Sequence, residues 1–302
     1  MTVFRLSSLL HHILDGYNVL FDEPLCGHTS FKIGGPADAL ALPVSRDELI
    51  RLLNVLKNEK VPYMIMGNGS NLLFSDSGYR GVVVKIGPNM AKMNISNSTI
   101  YTEAGVFLSA VSAEAMKARL TGLEFASGIP GTVGGAVCMN AGAYGSEIKD
   151  IFESAEVLTD DGLIKSYSLS EMNFGYRSSR LLAENTLLLS ATFNLSPGGY
   201  EEIKAKTDEL AASRRAKQPL DLPSAGSTFK RPPGHFVGKL IMDSGLRGYT
   251  IGGAQVSEKH CGFIVNKGGA SCKDVLNLIE YIQNKVSNDF NVMLIPEIRI
   301  IR

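Results

Sequence analysis

Short apolar stretches with a period of two alternate along this chain with amphipathic stretches of period 3.6, which predicts alternating strands and helices. Leu49, Leu53 and Leu56 fall on one helical face, and Ser45 with Glu48 forms the capping box that begins such a helix. Further helices are predicted at 6–14 and 108–120. Strands are predicted at 37–44, 61–66, 81–86 and 187–195, and hairpins over 95–104 and 155–167.

A cluster of chain breakers, Ser196-Pro197-Gly198-Gly199, follows this first part and predicts a boundary. Beyond it we predict a charged helix over 200–217 and an amphipathic helix over 271–288, which begins with the capping box of Ser271 and Asp274. The stretch 292–301 alternates as a strand does. Glu297 and Arg299 therefore share one face of the predicted last strand.

Composition narrows the class of protein. A chain of 302 residues, 44% of them hydrophobic, can bury a full core and divide into about two or three domains. Thirty basic and thirty acidic residues leave no net charge, which argues against nucleic acid as a partner of the whole protein. The four cysteines have no C-x-x-C spacing, so a reducing cytoplasm is favoured over a disulfide framework or zinc ribbon.

Two other classes of site are not expected. No apolar run approaches the roughly 18 residues of a membrane span. His28, His235 and His260 lack the spacing of metal ligands. We therefore expect a cytoplasmic protein without membrane insertion or a bound metal.

Two glycine-rich segments beside apolar runs are predicted to be loops. The first glycine loop is Gly67-Asn68-Gly69-Ser70-Asn71, and the second glycine run is Gly128-Ile129-Pro130-Gly131-Thr132-Val133-Gly134-Gly135. Without a Cβ, their backbone N–H groups can approach a phosphate closely. The first loop alone is more often a tight turn, and the extended stretch after it argues against a Rossmann site. The stretch from Gly128 to Gly145, which begins with the second run, contains six glycines and costs so much chain entropy on folding that a functional reason for it is favoured.

Three polar residues are candidates for chemistry, and each has an ordinary alternative. Ser227 follows a glycine and is equally consistent with a turn residue that bonds its own backbone. Arg177 is by default a surface arginine. Glu297 is by default a solvated strand residue paired with Arg299. The residues alone leave both interpretations open.

Taken together and in this order, the glycine segments and three further motifs resemble the UDP-N-acetylenolpyruvoylglucosamine reductases, also called UDP-N-acetylmuramate dehydrogenases. These motifs are Tyr176-Arg177-Ser178-Ser179-Arg180, Pro223-Ser224-Ala225-Gly226-Ser227-Thr228-Phe229-Lys230 and Pro296-Glu297-Ile298-Arg299. The resemblance runs from about residue 29 to residue 302, and the combination is specific. Because the extra Tyr-bearing loop of one branch is missing, the chain resembles the compact branch of the family.

The resemblance implies an α+β fold. It implies a two-subdomain FAD-binding part of the vanillyl-alcohol-oxidase type over 1–198, with subdomains of about 1–90 and 91–198, and a C-terminal α+β substrate-binding domain over 199–302. It makes Arg177, Ser227 and Glu297 catalytic and Lys239 a weaker candidate for substrate binding. The implied FAD-binding residues are Gly67, Asn68, Gly69, Ser70, Asn71, Gly128, Ile129, Pro130, Gly131, Thr132, Gly134, Gly135 and Ala136.

The implied reaction is the NADPH-dependent reduction of UDP-N-acetylglucosamine enolpyruvate to UDP-N-acetylmuramate, a peptidoglycan precursor, by a monomer with non-covalent FAD. Hydride addition to the β carbon leaves negative charge on the substrate carboxylate. Arg177 and Glu297 would stabilise that charge, and the Ser227 hydroxyl would protonate the α carbon.

Two other functions remain open. One is an alcohol or sugar oxidase of the same flavoprotein superfamily. Many of these tether flavin to a histidine in the first glycine loop, and neither glycine segment of this chain contains one. The other is a flavin- or nucleotide-binding module in which Ser227 and Glu297 are structural. Such a module needs none of the three candidate residues, so their combination favours the reductase.

The first prediction concerns the cofactor. We expect the purified protein to be yellow, and acid precipitation to release the flavin into the supernatant because no histidine lies in either glycine segment to tether it. The measurement is the absorbance spectrum of pellet and supernatant. A colourless protein, or flavin that stays in the pellet, contradicts the prediction.

Overall fold

The computed structural model describes residues 3–14 and 16–302. Its α-helices, in chain order, are α1 (Val3–His11), α2 (Arg46–Asn58), α3 (Leu108–Lys117), α4 (Val133–Cys138), α5 (Arg180–Ala183), α6 (Tyr200–Lys217), α7 (Val237–Asp243) and α8 (Cys272–Phe290).

The strands are, in the same order, β1 (Val19–Pro24), β2 (Pro36–Ala41), β3 (Tyr63–Met66), β4 (Leu72–Phe74), β5 (Tyr79–Lys85), β6 (Met93–Ser96), β7 (Thr99–Glu103), β8 (Leu120–Thr121), β9 (Gly142–Ala143), β10 (Ser146–Glu147), β11 (Phe152–Leu158), β12 (Ile164–Ser168), β13 (Leu187–Asn194), β14 (Ser196–Pro197), β15 (Ser224–Ser227), β16 (Thr250–Ile251), β17 (Ala254–Val256), β18 (Phe263–Asn266) and β19 (Arg299–Ile301).

The described chain forms two compact units, each made of separate stretches. The first contains residues through Leu20, Leu40–Asn68 and Val82–Arg214, and the second contains Phe21–Ala39, Gly69–Gly81 and Arg215–Arg302. The domain and subdomain boundaries implied by the sequence stay predictions.

The first unit contains an antiparallel sheet with strand order β12-β11-β13-β7-β6. Helix α4 packs against β13 and β7. Strand β3 also belongs to this unit and runs parallel to residues 82–85 of β5, with Tyr63 opposite Val82. The leucines on the predicted face of α2, Leu49, Leu53 and Leu56, are buried.

The second unit contains an antiparallel sheet with strand order β15-β18-β17-β16 and a parallel pair of β4 with β19. Helices α7 and α8 close its apolar core, in which Phe31, Ile33 and Leu73 pack with residues of the sheet. Asp76 links the distant stretches, because its carboxylate accepts hydrogen bonds from the backbone N–H groups of Cys272 (2.6 Å) and Lys273 (3.0 Å) at the start of α8. A carboxylate there also complements the helix dipole.

Several sequence predictions are confirmed. The capping box of Ser271 and Asp274 is present, with each side chain bonded to the other's backbone N–H at 3.0 Å. The hydrogen bond that the Asp274 carboxylate accepts from the Ser271 N–H lowers the pKa of Asp274. Both predicted hairpins form, and the predicted helix over 200–217 coincides with α6.

Two predictions need correction. The stretch 292–301 is not one strand: only Arg299–Ile301 pairs with β4, while Pro296 makes an isolated bridge to Phe229. Proline has no N–H for a continuous ladder, and the segment changes partner after Glu297, which bonds Thr228, since Arg299 bonds Asn71. Its alternation is nevertheless as predicted, because Leu294 and Ile298 are buried.

The second correction concerns the second glycine run, which is only partly a loop. Residues 133–138 form helix α4, although glycine disfavours a helix. A Cβ built on Gly134 would lie 3.2 Å from the Cβ of Ala104. Close packing against the segment around Ala104 thus explains a glycine inside this helix.

Candidate functional site

The first glycine loop connects β3 to β4. A Cβ at Gly67 would collide with the hydroxyl of Thr132. The backbone of Gly67 therefore lies closer to Thr132 than a residue with a side chain would allow. Gly69 has a φ of +65°, in the left-handed region that favours glycine. The amide of Asn68 donates to the carbonyl of Pro130 at 2.6 Å, which ties the loop to the second glycine run.

The backbone N–H groups of Asn68, Gly69 and Ser70 are the feature of this loop that suits an anion. Within the described part of the chain they have no acceptor. Successive N–H groups without Cβ atoms beside them form the concave site that binds phosphate groups. The residues of the first glycine loop therefore fit the pyrophosphate of FAD.

The second glycine run divides its N–H groups between two uses. Val133 and Gly134 donate to the carbonyls of Val106 (2.8 Å) and Ala104 (2.9 Å), so these two groups serve packing. No atom lies within 4 Å of a Cβ built on Gly135. The run thus leaves open space at Gly135, where a cofactor can approach.

Arg177 lies in a tight turn of the first unit. Gly175 and Ser178 exchange two backbone hydrogen bonds, of 3.0 and 3.2 Å, and Tyr176 and Arg177 are the residues between them. Arg177 has a φ of +53°, which is unusual for a residue other than glycine. Its guanidinium donates from Nη2 to the carbonyl of Gly142 at 3.2 Å and lies 5.2 Å from the centre of the Tyr176 ring.

Ser227 lies in the second unit, directly after a β-bulge. Ser224 pairs with Val265 and Ser227 with Phe263, so three steps along β15 match two along β18. Gly226 absorbs the extra residue with a φ of +80°. Bulges of this kind redirect the side chain that follows. The Ser227 hydroxyl is half-buried and donates to the carbonyl of Phe229 at 3.2 Å.

Glu297 lies beside Ser227 in the same unit. Its N–H donates to the carbonyl of Thr228 at 2.8 Å, and its carbonyl accepts from the amide of Asn71 at 3.2 Å. The structure thus brings together Ser227, Glu297 and Asn71, the last residue of the first glycine loop. Arg177 belongs to the other unit.

Lys239, the weaker candidate, is an exposed residue of α7. Its ammonium forms an ion pair with Asp243, one turn further along, at 2.6 Å. Such a pair is an ordinary feature of a helix surface.

A cavity of about 500 Å³ in the second unit was not predicted. Three cations, Arg215, Lys259 and Lys267, and two carboxylates, Asp221 and Glu258, are among its lining residues. These residues have no motif spacing, and only the fold brings them together.

The cavity lies on one face of the sheet formed by β15 to β18. Ala254, Val256 and Ile264 point into the core that α7 and α8 close. Gln255 and Val265, a cross-strand pair on the opposite face, line the cavity instead. The cavity is therefore next to β15, where Ser224 pairs with Val265.

Two shifted pKa values in this unit have a common cause. Burial lowers the pKa of His260, whose Nδ1 accepts a hydrogen bond from the N–H of Gly262 at 3.1 Å. Burial also raises the pKa of the Cys272 thiol to about 11. Both groups are therefore neutral at pH 7.

Among the described residues, no three His, Cys, Asp or Glu side chains are placed to hold a metal ion, and no helix is long and apolar enough to cross a membrane.

Comparison with known proteins first defines the fold class. Residues 37–168 match the family model described as "FAD binding domain". The solved structure of alkyldihydroxyacetonephosphate synthase is similar in fold, with a TM-score of 0.50 and 17% sequence identity. The similarity covers 64% of this chain and 40% of the synthase chain. The fold is that of a two-subdomain, vanillyl-alcohol-oxidase-type FAD-binding part with a C-terminal α+β domain, as predicted.

Closer relatives define the family. Residues 218–301 match the model described as "UDP-N-acetylenolpyruvoylglucosamine reductase, C-terminal domain". The reductase of Caldanaerobacter subterraneus subsp. tengcongensis is 56% identical over 97% of this chain and 96% of its own, and that of Clostridioides difficile is 49% identical over the same shares. The crystal structure of the enzyme from Thermus caldophilus has a TM-score of 0.81 and 34% identity, over 94% of this chain and 98% of that one.

The chain therefore belongs to the UDP-N-acetylenolpyruvoylglucosamine reductase family, and the predicted family is confirmed. It is a FAD-dependent oxidoreductase.

The bulge at Gly226 gives a prediction that separates backbone strain from crowding. Nothing lies within 4 Å of a Cβ built on Gly226, but its φ of +80° is unfavourable for alanine. We expect Gly226→Ala to lower the free energy of unfolding by roughly 1–2 kcal/mol, the cost of a left-handed residue. Gly226→Asn should lose less, because asparagine tolerates this conformation. Urea unfolding measures both. Equal losses would mean that side-chain crowding, not φ, decides the residue.

Proposed function

We propose that this protein catalyses the NADPH-dependent reduction of UDP-N-acetylglucosamine enolpyruvate to UDP-N-acetylmuramate, for peptidoglycan precursor synthesis in the cytoplasm. Family membership supports this reaction. The observation that carries the proposal is the junction of Ser227 and Glu297, in which the Glu297 N–H donates to the carbonyl of the residue after Ser227. A proton donor and a carboxyl group on adjacent segments suit the protonation of an enolate-like species.

The first glycine loop is the proposed place of the FAD pyrophosphate. The N–H groups of Asn68, Gly69 and Ser70 would donate to its oxygens, and the open space at Gly135 would admit part of the cofactor. FAD held there would supply the redox chemistry, the transfer of a hydride from NADPH to the substrate.

Arg177 and Glu297 would act on the substrate carboxylate. When hydride adds to the β carbon of the enolpyruvyl group, the electron pair of the carbon–carbon double bond moves onto the carboxylate oxygens. A guanidinium holds such oxygens with two parallel N–H donors. A carboxyl group at Glu297 contributes a further hydrogen bond if it carries a proton. Losing one preorganised donor of this kind costs about 10²–10³ in rate.

Ser227 would complete the reaction by giving its hydroxyl proton to the α carbon, with solvent restoring the proton afterwards. Its hydroxyl donates to the Phe229 carbonyl. A rotation about the Cα–Cβ bond would release this hydrogen bond and turn the proton toward the substrate. The bulge at Gly226 sets the direction from which the hydroxyl starts.

The cavity beside β15 is the proposed place of the nucleotide part of the substrate. Its cations Arg215, Lys259 and Lys267 are suited to a diphosphate. The apolar side chains of Leu220 and Leu222 offer a wall for a flat base. Val265 links the cavity to the strand that carries Ser227.

Replacing Ser227 tests the proposed protonation. In Ser227→Ala, flavin reduction by NADPH should keep its rate, whereas flavin re-oxidation by the enolpyruvyl substrate should slow by about 10²–10⁴, the contribution of a general acid. Stopped-flow absorbance of the flavin separates the two half-reactions.

Ser224→Ala is the matched control on the same strand. Ser224 accepts a hydrogen bond from Ser30 through its backbone carbonyl, which alanine retains. This variant should leave both half-reactions within about twofold of normal. Near-normal re-oxidation in Ser227→Ala would instead make the bond to Phe229 the whole role of Ser227.

A charge reversal tests the nucleotide site. Lys267→Glu should raise the KM for the UDP-sugar by about tenfold and leave kcat nearly unchanged, because it removes binding that ground state and transition state share. Lys273→Glu is the control, since Lys273 is an exposed residue of α8. Equal effects in both variants would indicate a general charge effect and rule out this cavity as the site.

A further inference from the structure

Asn140 is a buried polar residue with no role in the chemistry described above. It follows α4, has no exposed surface and has a φ of +42°. Both ends of its side-chain amide are engaged. Nδ2 donates to the carbonyl of Gly175 at 3.1 Å, and Oδ1 accepts from the N–H of Lys149 at 3.0 Å. A buried amide with both partners in place fixes its surroundings.

The Gly175 carbonyl is also part of the turn that carries Arg177. It accepts the N–H of Ser178, the hydrogen bond that closes that turn, at 3.2 Å. Asn140 thus holds the closing carbonyl of the turn from the side. An acceptor with two lone pairs can take both donors at once.

Two further hydrogen bonds tie the same turn to the chain around Asn140. The buried hydroxyl of Ser179 donates to the carbonyl of Cys138 at 2.7 Å. The guanidinium of Arg177 donates to the carbonyl of Gly142 at 3.2 Å. The turn is therefore attached at three points to residues 138–142, the stretch that follows the second glycine run.

Such attachment is needed because the turn is unfavourable in isolation. Arg177 is left-handed, a conformation that persists outside glycine only when the surroundings determine it. Tyr176 beside it is 52% exposed, so packing on that side is limited. The hydrogen bonds from residues 138–142 supply the constraint that the turn itself lacks.

We propose that Asn140 is the positioning residue of Arg177. By holding the Gly175 carbonyl, it fixes the left-handed turn and thereby the direction of the guanidinium. This proposal rests on the proposed function, in which Arg177 binds the substrate carboxylate. The glycines of the second glycine run would then leave room for the cofactor. Residues 138–142, which follow the run, would orient the Arg177 side chain.

Asn140→Asp is the variant that isolates this role. Aspartate has the same shape and keeps an acceptor for the Lys149 N–H, but its second oxygen faces the Gly175 carbonyl without a donor. Amide hydrogen exchange of Gly175 and Ser178 should accelerate at least tenfold. Flavin re-oxidation by the substrate should slow 10- to 100-fold, while FAD content and flavin reduction by NADPH stay normal. Asn185→Asp is the control, because Asn185 is also left-handed but exposed.

A double-mutant cycle with Arg177→Ala decides whether Asn140 acts through Arg177. If it does, Asn140→Asp should slow re-oxidation by less than about twofold in the Arg177→Ala background. A full additional loss there, or unchanged exchange at Gly175 and Ser178, overturns the positioning role. Loss of FAD or equal slowing of both half-reactions does so too, since it would indicate general damage. Normal re-oxidation in Arg177→Ala alone overturns the role proposed for Arg177, and the inference with it.

Discussion

The backbone of residues 295–299 is hydrogen-bonded along both of its edges, and the geometry of the second unit depends on this. On one edge, Lys230 donates to the carbonyl of Ile295, and Glu297 donates to that of Thr228. On the other, Arg299 donates to the carbonyl of Asn71. Main-chain atoms, which every residue except proline supplies in full, thus set the spacing of the first glycine loop, Glu297 and Ser227. The side chains of Ser227 and Glu297 are therefore not needed to hold these segments together.

The two glycine segments illustrate two uses of a missing Cβ. At Gly67 and Gly134 the glycine permits protein to pack against protein, since a Cβ would meet Thr132 or Ala104. At Gly135 it leaves space that protein does not fill. Glycine density alone cannot distinguish these uses, because both appear in the sequence as the same residue. The distinction depends on which neighbours the fold brings close.

Local patterns predicted the local structure well. The capping box of Ser271 and the hairpin turn at residues 160–162 involve residues a few positions apart, so the sequence contains the whole interaction. The prediction of one strand over 292–301 was wrong because its two partners are far away in sequence. Residues 228–230 bond residues 295–297, and β4 pairs only from Arg299 onward. The helix inside the second glycine run was missed because packing overrides the low helix propensity of glycine there.

The candidate site was predictable as a set of residues but not as an arrangement. The family resemblance identified Ser227 and Glu297 as candidates, and their roles stay predictions. No spacing in the sequence indicates that a bulge at Gly226 precedes Ser227. Nor does any spacing indicate that backbone hydrogen bonds place Glu297 beside it. Asn140 had no motif of its own, because its importance depends on one carbonyl at Gly175. The cations of the cavity likewise come from three separate stretches.

The discontinuity of the second unit has a consequence for how the protein is made. Phe31, Ile33 and Leu73 belong to a core whose other members come from residues 225–298. The carboxylate of Asp76 likewise has its hydrogen-bond donors at the start of α8, which is synthesised almost 200 residues later. On the ribosome these early segments emerge long before their partners, so their apolar side chains stay uncovered while the intervening residues are synthesised. Early apolar segments that await distant partners are prone to aggregation. We therefore expect newly made chains to depend on chaperones until residues 225–298 have been synthesised and can cover these side chains.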